Sequence, residues 1–278
     1  MGFLSPKELT QQYAGAGAAK TQKSAGELFL LAILAGALIA LGCAATNTAA
    51  YGVENVGLAR MICGLLFPFG LCMVIVTGAE LFTGNSLIVI SALDRQCTVQ
   101  GMLRNWLVVY LGNFVGAGLV AASCVAFGQL NYSGGALAVY TIKLAAGKCG
   151  ISFVNGVGLG FFCNVLVCLG VLMAMSAREA AGRLMGAFIP VCYFVICGFE
   201  HCVANMYYIT AGLLAAADPA YGALAVEAGL DLSQLTVGNF LLGNLLPVTL
   251  GNILGGAALG GLMWFAYLKS RQPVGVSK

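Results

Sequence analysis

Apolar residues run in six long stretches, roughly 25–45, 60–92, Asn105–Phe127, Ser152–Ala177, Leu184–Ala217 and Asn239–Leu268, joined by shorter polar segments. Such runs predict membrane-spanning helices, because a hydrocarbon core about 30 Å thick takes about 20 helical residues. Two of the runs are too long. A continuous helix over 60–92 would measure about 48 Å, and the run over Leu184–Ala217 is also overlong. Both carry an interruption. Gly78-Ala-Glu-Leu-Phe-Thr-Gly-Asn85 and Gly198-Phe-Glu-His-Cys-Val-Ala-Asn205 read Gly-x-Glu-x-x-x-x-Asn and stand 120 residues apart. A carboxylate, an amide and freed backbone groups are costly in lipid unless they are satisfied internally. The pattern therefore predicts that the second and fifth spanning helices break at mid-membrane around a polar site, with Gly78, Glu80, Asn85 and Gly198 shaping the breaks.

The two halves repeat. Asn105–Gly116 and Asn244–Gly255 agree at seven of twelve positions, 139 residues apart, and the offset grows from 120 because the joint before the sixth run is longer. Three spans per repeat is an odd number, so the second copy is inverted. The expected fold is an all-α membrane protein of six transmembrane helices in an inverted 3+3 repeat, aquaporin-like. Folds of that kind place a transport site at the interface of their repeats. The expected organisation is a cytoplasmic segment over 1–24, a six-helix channel domain over 25–268 with repeats at about 25–127 and 152–268, and a cytoplasmic tail over 269–278. The first segment opens on Ser5-Pro6-Lys7-Glu8, a capping-box pattern. It predicts a short helix at the membrane surface, to about Gly15, read as an anchor in preference to a gate. Gly112, Gly116, Gly251, Gly255 and Gly260 give small-residue faces for close helix contact.

Composition agrees: 60% of the 278 residues are apolar and 8% are charged, where soluble chains carry about a quarter. The first twenty-odd residues are polar, so no cleavable signal is predicted. Of the thirteen lysines and arginines, ten fall in the first tail, the second–third joint, the fourth–fifth joint and the last tail, Lys269, Arg271 and Lys278 among them. Only Arg60, Lys143 and Lys148 fall on the other side. The positive-inside rule then places both termini in the cytoplasm. Eleven cysteines sit mostly within apolar runs with no Cys-x-x-Cys pair, and one histidine does not complete a Cys/His site. They are read as small buried hydrophobes, with no metal and no cofactor.

In this topology the half-helix after each interruption starts at the centre, where free amides and the positive dipole end favour an anion. His201, the only histidine, lies in the second interruption and has a hydrogen bond or a proton to give. The plainer alternative is a satisfied core histidine, but an ionisable residue in a membrane is functional by default. For Glu80 the plain role, accepting hydrogen bonds from amides freed by the break, is preferred; Glu200 has the same option. Lys148 falls in an outer joint and earns no role from composition. Asn164, alone among apolar residues, is either interhelical glue or pore lining.

Four motifs then combine: Gly78-Ala-Glu-Leu-Phe-Thr83, Asn105-Trp-Leu-x-x-Tyr-x-Gly-Asn113, Gly198-Phe-Glu-His201-x-x-Ala-Asn205-Met and Pro247-Val-Thr-x-Gly-Asn252. Across essentially its whole length the chain resembles the formate–nitrite transporter family. The resemblance implies a homopentamer in the cell (inner) membrane, each aquaporin-like protomer with its own pore. It implies a cytoplasmic constriction from Phe67, Leu71 and Phe194 and an outer one from Leu81 and Phe82. Thr83 and His201 would face each other between them, with Asn164 and Asn205 nearby and Glu200 and Lys148 tuning the charge of the histidine.

The implied activity is passage of a small monovalent weak-acid anion (formate, nitrite or hydrosulfide, the last slightly favoured) as a neutral acid or a partly hydrated ion. It involves no enzyme chemistry and no nucleic acid. An aquaporin-like neutral-solute channel is the first alternative, although the paired Asn-Pro-Ala motifs are missing. A membrane redox subunit is the second, although one histidine excludes bis-histidine haem ligation.

Overall fold

The structure is a computed structural model that describes residues 2–269; Arg271 and Lys278 of the expected tail lie outside the described residues. The chain forms helices α1 (Pro6–Gln22), α2 (Ala25–Ala50), α3 (Val56–Thr77), α4 (Phe82–Leu93), α5 (Val99–Ala126) and α6 (Tyr132–Cys149). They are followed by α7 (Phe153–Ser176), α8 (Ala180–Cys197), α9 (Cys202–Ala217), α10 (Pro219–Glu227) and α11 (Asn239–Tyr267). Six of the described helices, α2, α3, α5, α7, α8 and α11, are long and apolar enough to cross a membrane. Their starts are written in the sequence. Ser24, Asn55, Thr98 and Ser152 each accept a hydrogen bond from the backbone N–H three residues on, which satisfies one orphan donor of the first turn.

Several expected boundaries change. The capping box at Ser5 and Glu8 forms, but α1 runs on to Gln22. It does not lie free on a surface: Leu9, Tyr13, Ala14, Gly17 and Ala18 are buried, and Gly17 fits because a Cβ there would collide with Ser91 Oγ. Helix α2 extends past residue 45 because its polar Thr46 and Asn47 are buried, with Thr46 Oγ1 donating to the Cys43 carbonyl at 2.7 Å. The joint between the third and fourth runs is not a plain loop, since it contains α6. That helix escapes an apolar-run reading because Tyr140, Thr141 and Lys143 interleave its buried Leu137, Ala138, Ile142 and Ala145, and Ser133, Gly134 and Gly135 precede them with left-handed backbone.

Helix α2 packs along α5 and α7 along α11, and the expected glycines make both contacts close. A Cβ on Gly116 would strike the Ile33 carbonyl, and one on Gly255 would strike the Phe161 carbonyl. Such approach is how helices gain packing contacts where surrounding lipid is as apolar as they are. Helices α8 and α9 complete the core around the two interruptions.

Candidate functional site

Helix α3 ends on Gly78 and α8 on Gly198, both in the left-handed region with φ of 68° and 73°. A side chain would be strained there. Each chain then runs without helical structure for three residues before α4 or α9 begins. Several of the backbone donors exposed in this way find partners on neighbouring helices. In the first interruption the Glu80 N–H donates to the Leu31 carbonyl (3.2 Å) and the Phe82 N–H to Asn113 Oδ1 (2.9 Å). Asn113 Nδ2 donates back to the carbonyls of Ala32 (2.7 Å) and Glu80 (2.9 Å). In the second the Glu200 N–H donates to the Leu159 carbonyl (3.3 Å) and the Cys202 N–H to Asn252 Oδ1 (2.9 Å). Asn252 Nδ2 donates to Gly160 (2.8 Å) and Glu200 (3.0 Å). Asn113 and Asn252 are the matching asparagines of the repeat, so side-chain amides replace the missing helical partners.

The two carboxylates therefore do not accept from freed amides, which corrects the plain role given to them above. Glu80 accepts from Lys20 Nζ (2.7 Å) and Asn85 Nδ2 (2.8 Å), and Asn85 in turn donates to Asn105 Oδ1 (2.9 Å). Glu200 accepts from Lys148 Nζ (2.9 and 3.0 Å) and Asn205 Nδ2 (2.6 Å), and Asn205 donates to Asn244 Oδ1 (2.8 Å). Both circuits close the same way: Asn105 donates to the Lys20 carbonyl and Asn244 to the Lys148 carbonyl. Lys148 is thus no solvated loop charge but stands in the last turn of α6, paired. Lys20 is a residue that sequence reading missed. Its signal was weak: a lysine in the polar tail, 60 residues ahead of its glutamate.

The two strings differ at five of their eight positions, and two of the differences bear on the chemistry. At the 120-residue spacing Leu81 answers His201, and Thr83 answers Val203. Thr83 Oγ1 and His201 Nε2 meet at 3.0 Å, both side chains buried. His201 also caps α9, its Nδ1 accepting the Ala204 N–H at 3.0 Å. A ring nitrogen that accepts an N–H carries no proton, so Nε2 holds the proton of a neutral imidazole and donates to Thr83. Phe194 stacks on the ring at 5.8 Å between centroids, and Phe67 meets it edge-on at 6.3 Å.

Beside this pair lies a chamber of about 10 Å³, lined by Ile39, Phe67, Leu71, Leu81, Val167, Val191, Phe194 and His201. It is the size of one water. Next to it a cavity of about 380 Å³ opens between α1, α3, α7 and the first interruption; Tyr13, Lys20, Leu71, Leu81 and Arg183 are among its lining. Leu71 and Leu81 line both spaces, whereas Phe67 and Phe194 line the chamber alone. Leu71 thus shares the chamber with Phe67 and Phe194 and, like Leu81, also reaches the larger cavity. Phe82 lines neither space and packs edge-on against Tyr110 at 4.9 Å. Asn164 also lines neither: its Nδ2 donates to the Thr83 carbonyl (3.1 Å), Ser86 Oγ (2.9 Å) and the Asn252 carbonyl (2.6 Å), tying the first interruption to α11.

Six apolar spanning helices folded around buried, internally satisfied ion pairs define a multi-pass α-helical membrane protein. The family model described as "Formate/nitrite transporter" matches residues 7–266, and the chain belongs to that family. It is similar to "Formate channel FocA" of Escherichia coli (strain K12), 36% identical over 96% of this chain and 95% of that one. It is also similar to "Probable formate transporter" of Methanothermobacter thermautotrophicus, 34% identical over 96% of this chain and 98% of that one. Among solved structures, "Pentameric formate channel with formate bound" superposes with a TM-score of 0.78 at 35% identity, covering 88% of this chain and 98% of that chain. The relatives so named are channels or transporters, not enzymes.

Proposed function

We propose that this protein is a channel for a small monovalent weak-acid anion, with its path running from the 380 Å³ cavity past Leu71 and Leu81 to the chamber beside His201 and Thr83, and out between Phe67 and Phe194. The observation that carries this reading is a single buried donor pair, His201–Thr83, beside a water-sized chamber whose other walls are apolar. An unpaired anion pays a large desolvation cost at such walls. Loss of hydration raises the proton affinity of a carboxylate, so the cargo takes a proton from hydronium entering the cavity, leaving water, crosses the apolar rings as a neutral acid and returns the proton to water on the far side. His201 Nε2–H and the Thr83 hydroxyl offer it hydrogen bonds midway. The imidazole itself is not the proton source, since its Nδ1 is engaged with Ala204.

The rest of the architecture follows the same reading. The two interruptions are breaks of spanning helices near mid-membrane, related by an inverted repeat, and their matching Lys-Glu-Asn-Asn circuits support that relation. The spanning domain covers about 25–268, both termini are cytoplasmic, and the working form is a homopentamer with one pore per protomer, as the similar pentameric channel suggests. The cargo named for the relatives puts formate first, ahead of the hydrosulfide favoured from sequence. Side-by-side flux of formate, nitrite and hydrosulfide into liposomes, with a stopped-flow swelling assay for water and glycerol, tests the proposal. Anion flux that rises as pH falls is expected. Swelling by glycerol with no anion flux would replace the reading by the neutral-solute alternative.

A further inference from the structure

Each half of the molecule carries one arginine near the start of its long helix, and each arginine reaches the interruption of the other half. Arg60, on α3, lays its guanidinium against Gly198: a Cβ on that glycine would stand 3.2 Å from Nη1 and 3.4 Å from Cζ. Arg183, on α8, lines the large cavity together with Gly78, Ala79 and Leu81. Both arginines are exposed. The nearby lysines are differently placed. Lys20 and Lys148 are neutralised by Glu80 and Glu200 at 2.7 and 2.9 Å. Among the described residues neither arginine has a carboxylate within 4.0 Å, and the Arg183 Nε donates only to the Ala177 carbonyl at 3.3 Å.

An ion pair presents a dipole whose field falls off faster than that of a single charge, so a paired lysine does little for an anion still in solution. An unpaired guanidinium at a low-dielectric opening is the stronger attractor, because apolar walls focus its field. From this geometry we infer that Arg60 and Arg183 are the anion-recruiting residues of the two mouths, Arg183 on the α1 side and Arg60 on the opposite side. Lys20 and Lys148 serve instead to hold the interruptions. Each recruiting charge thus comes from the half that does not form the interruption it serves, so neither half makes a complete mouth alone. The inference rests on the anion-channel reading above.

The test measures zero-trans formate flux in vesicles sorted by orientation, at about 20 mM and about 500 mM ionic strength. At low salt R183Q is expected to lower flux starting from the α1 side about two- to threefold and to leave the opposite direction unchanged, with R60Q doing the reverse. At high salt, where the screening length falls to a few ångström, both ratios should approach one. R183K and R60K, which keep the charge, should stay near wild type at both salts. A variant that matches wild type from its own side at low salt overturns the assignment. So does a loss undiminished at high salt or unrescued by lysine, which marks a structural role. If wild-type vesicles pass no formate, nitrite or hydrosulfide, the channel reading falls and takes this inference with it; if wild type conducts and the variants match it, only the arginine assignment falls.

Discussion

The two interruptions use the same scaffold and differ where the chemistry is. Each has a left-handed glycine, a glutamate paired with a lysine from a different helix, an asparagine beside that glutamate, and two more asparagines from a packed helix. The first, however, presents Leu81 where the second presents His201, and Thr83 where the second presents Val203. The shared scaffold therefore satisfies two interruptions in an apolar interior, and a difference between them at Leu81/His201 and Thr83/Val203 makes one donor pair. A second difference lies in the lysines. Lys148 grips both oxygens of Glu200, while Lys20 divides itself between Glu80 and Asn85.

The largest expected effect separates those lysines. Lys148→Met strands a buried carboxylate and should cost about 3–5 kcal/mol, read as a lowered Tm in detergent. Lys148→Met with Glu200→Gln should recover most of it. Lys20→Met should cost about half as much, since the Lys20 side chain is 28% exposed against 15% for Lys148. Equal losses would erase the distinction. Next come the parts held in common: Asn113→Leu and Asn252→Leu each orphan a buried backbone N–H and two carbonyls, and each should cost about 2–4 kcal/mol. A marked inequality between them would mean the two scaffolds are not equivalent. Gly116→Ala should cost about 1–3 kcal/mol by forcing α2 from α5, whereas Gly118→Ala, with open space at the Cβ, should be neutral or slightly stabilising.

The smallest effect lies outside both interruptions. Ser5→Ala removes a reciprocal cap and should speed amide exchange in the first turn of α1 about fivefold. The bonds from Ser5 hold the Glu8 carboxyl below its usual range. A depressed carboxylate stabilises above its unfolded pKa and loses that contribution as pH falls through the folded one, so the difference between variant and wild type should shrink on acidification.

Much of this was legible in the chain. The paired Gly-x-Glu-x-x-x-x-Asn strings marked both interruptions, and the aligned asparagines at 105 and 244 and at 113 and 252 stood in the repeat before their partners were known. Three things were not. Lys20 looked like one of several tail charges, because pairing across 60 residues leaves no local pattern. Helix α6 was hidden by its small and polar residues, which pack on α9 without forming an apolar run. The contact of Leu71 with the larger cavity as well as with the chamber it shares with Phe67 left no mark either, because residue identity carries no depth; only the course of α3 supplies it.

The most direct measurement is formate flux with simultaneous proton uptake in liposomes holding wild type or His201→Asn. Asparagine retains a cap for the Ala204 N–H and removes the imidazole Nε2–H that faces Thr83. A drop of at least tenfold in coupled flux, at nearly unchanged Tm, is expected; flux and proton uptake equal to wild type across pH 5–8 would contradict a central role for the His201–Thr83 pair.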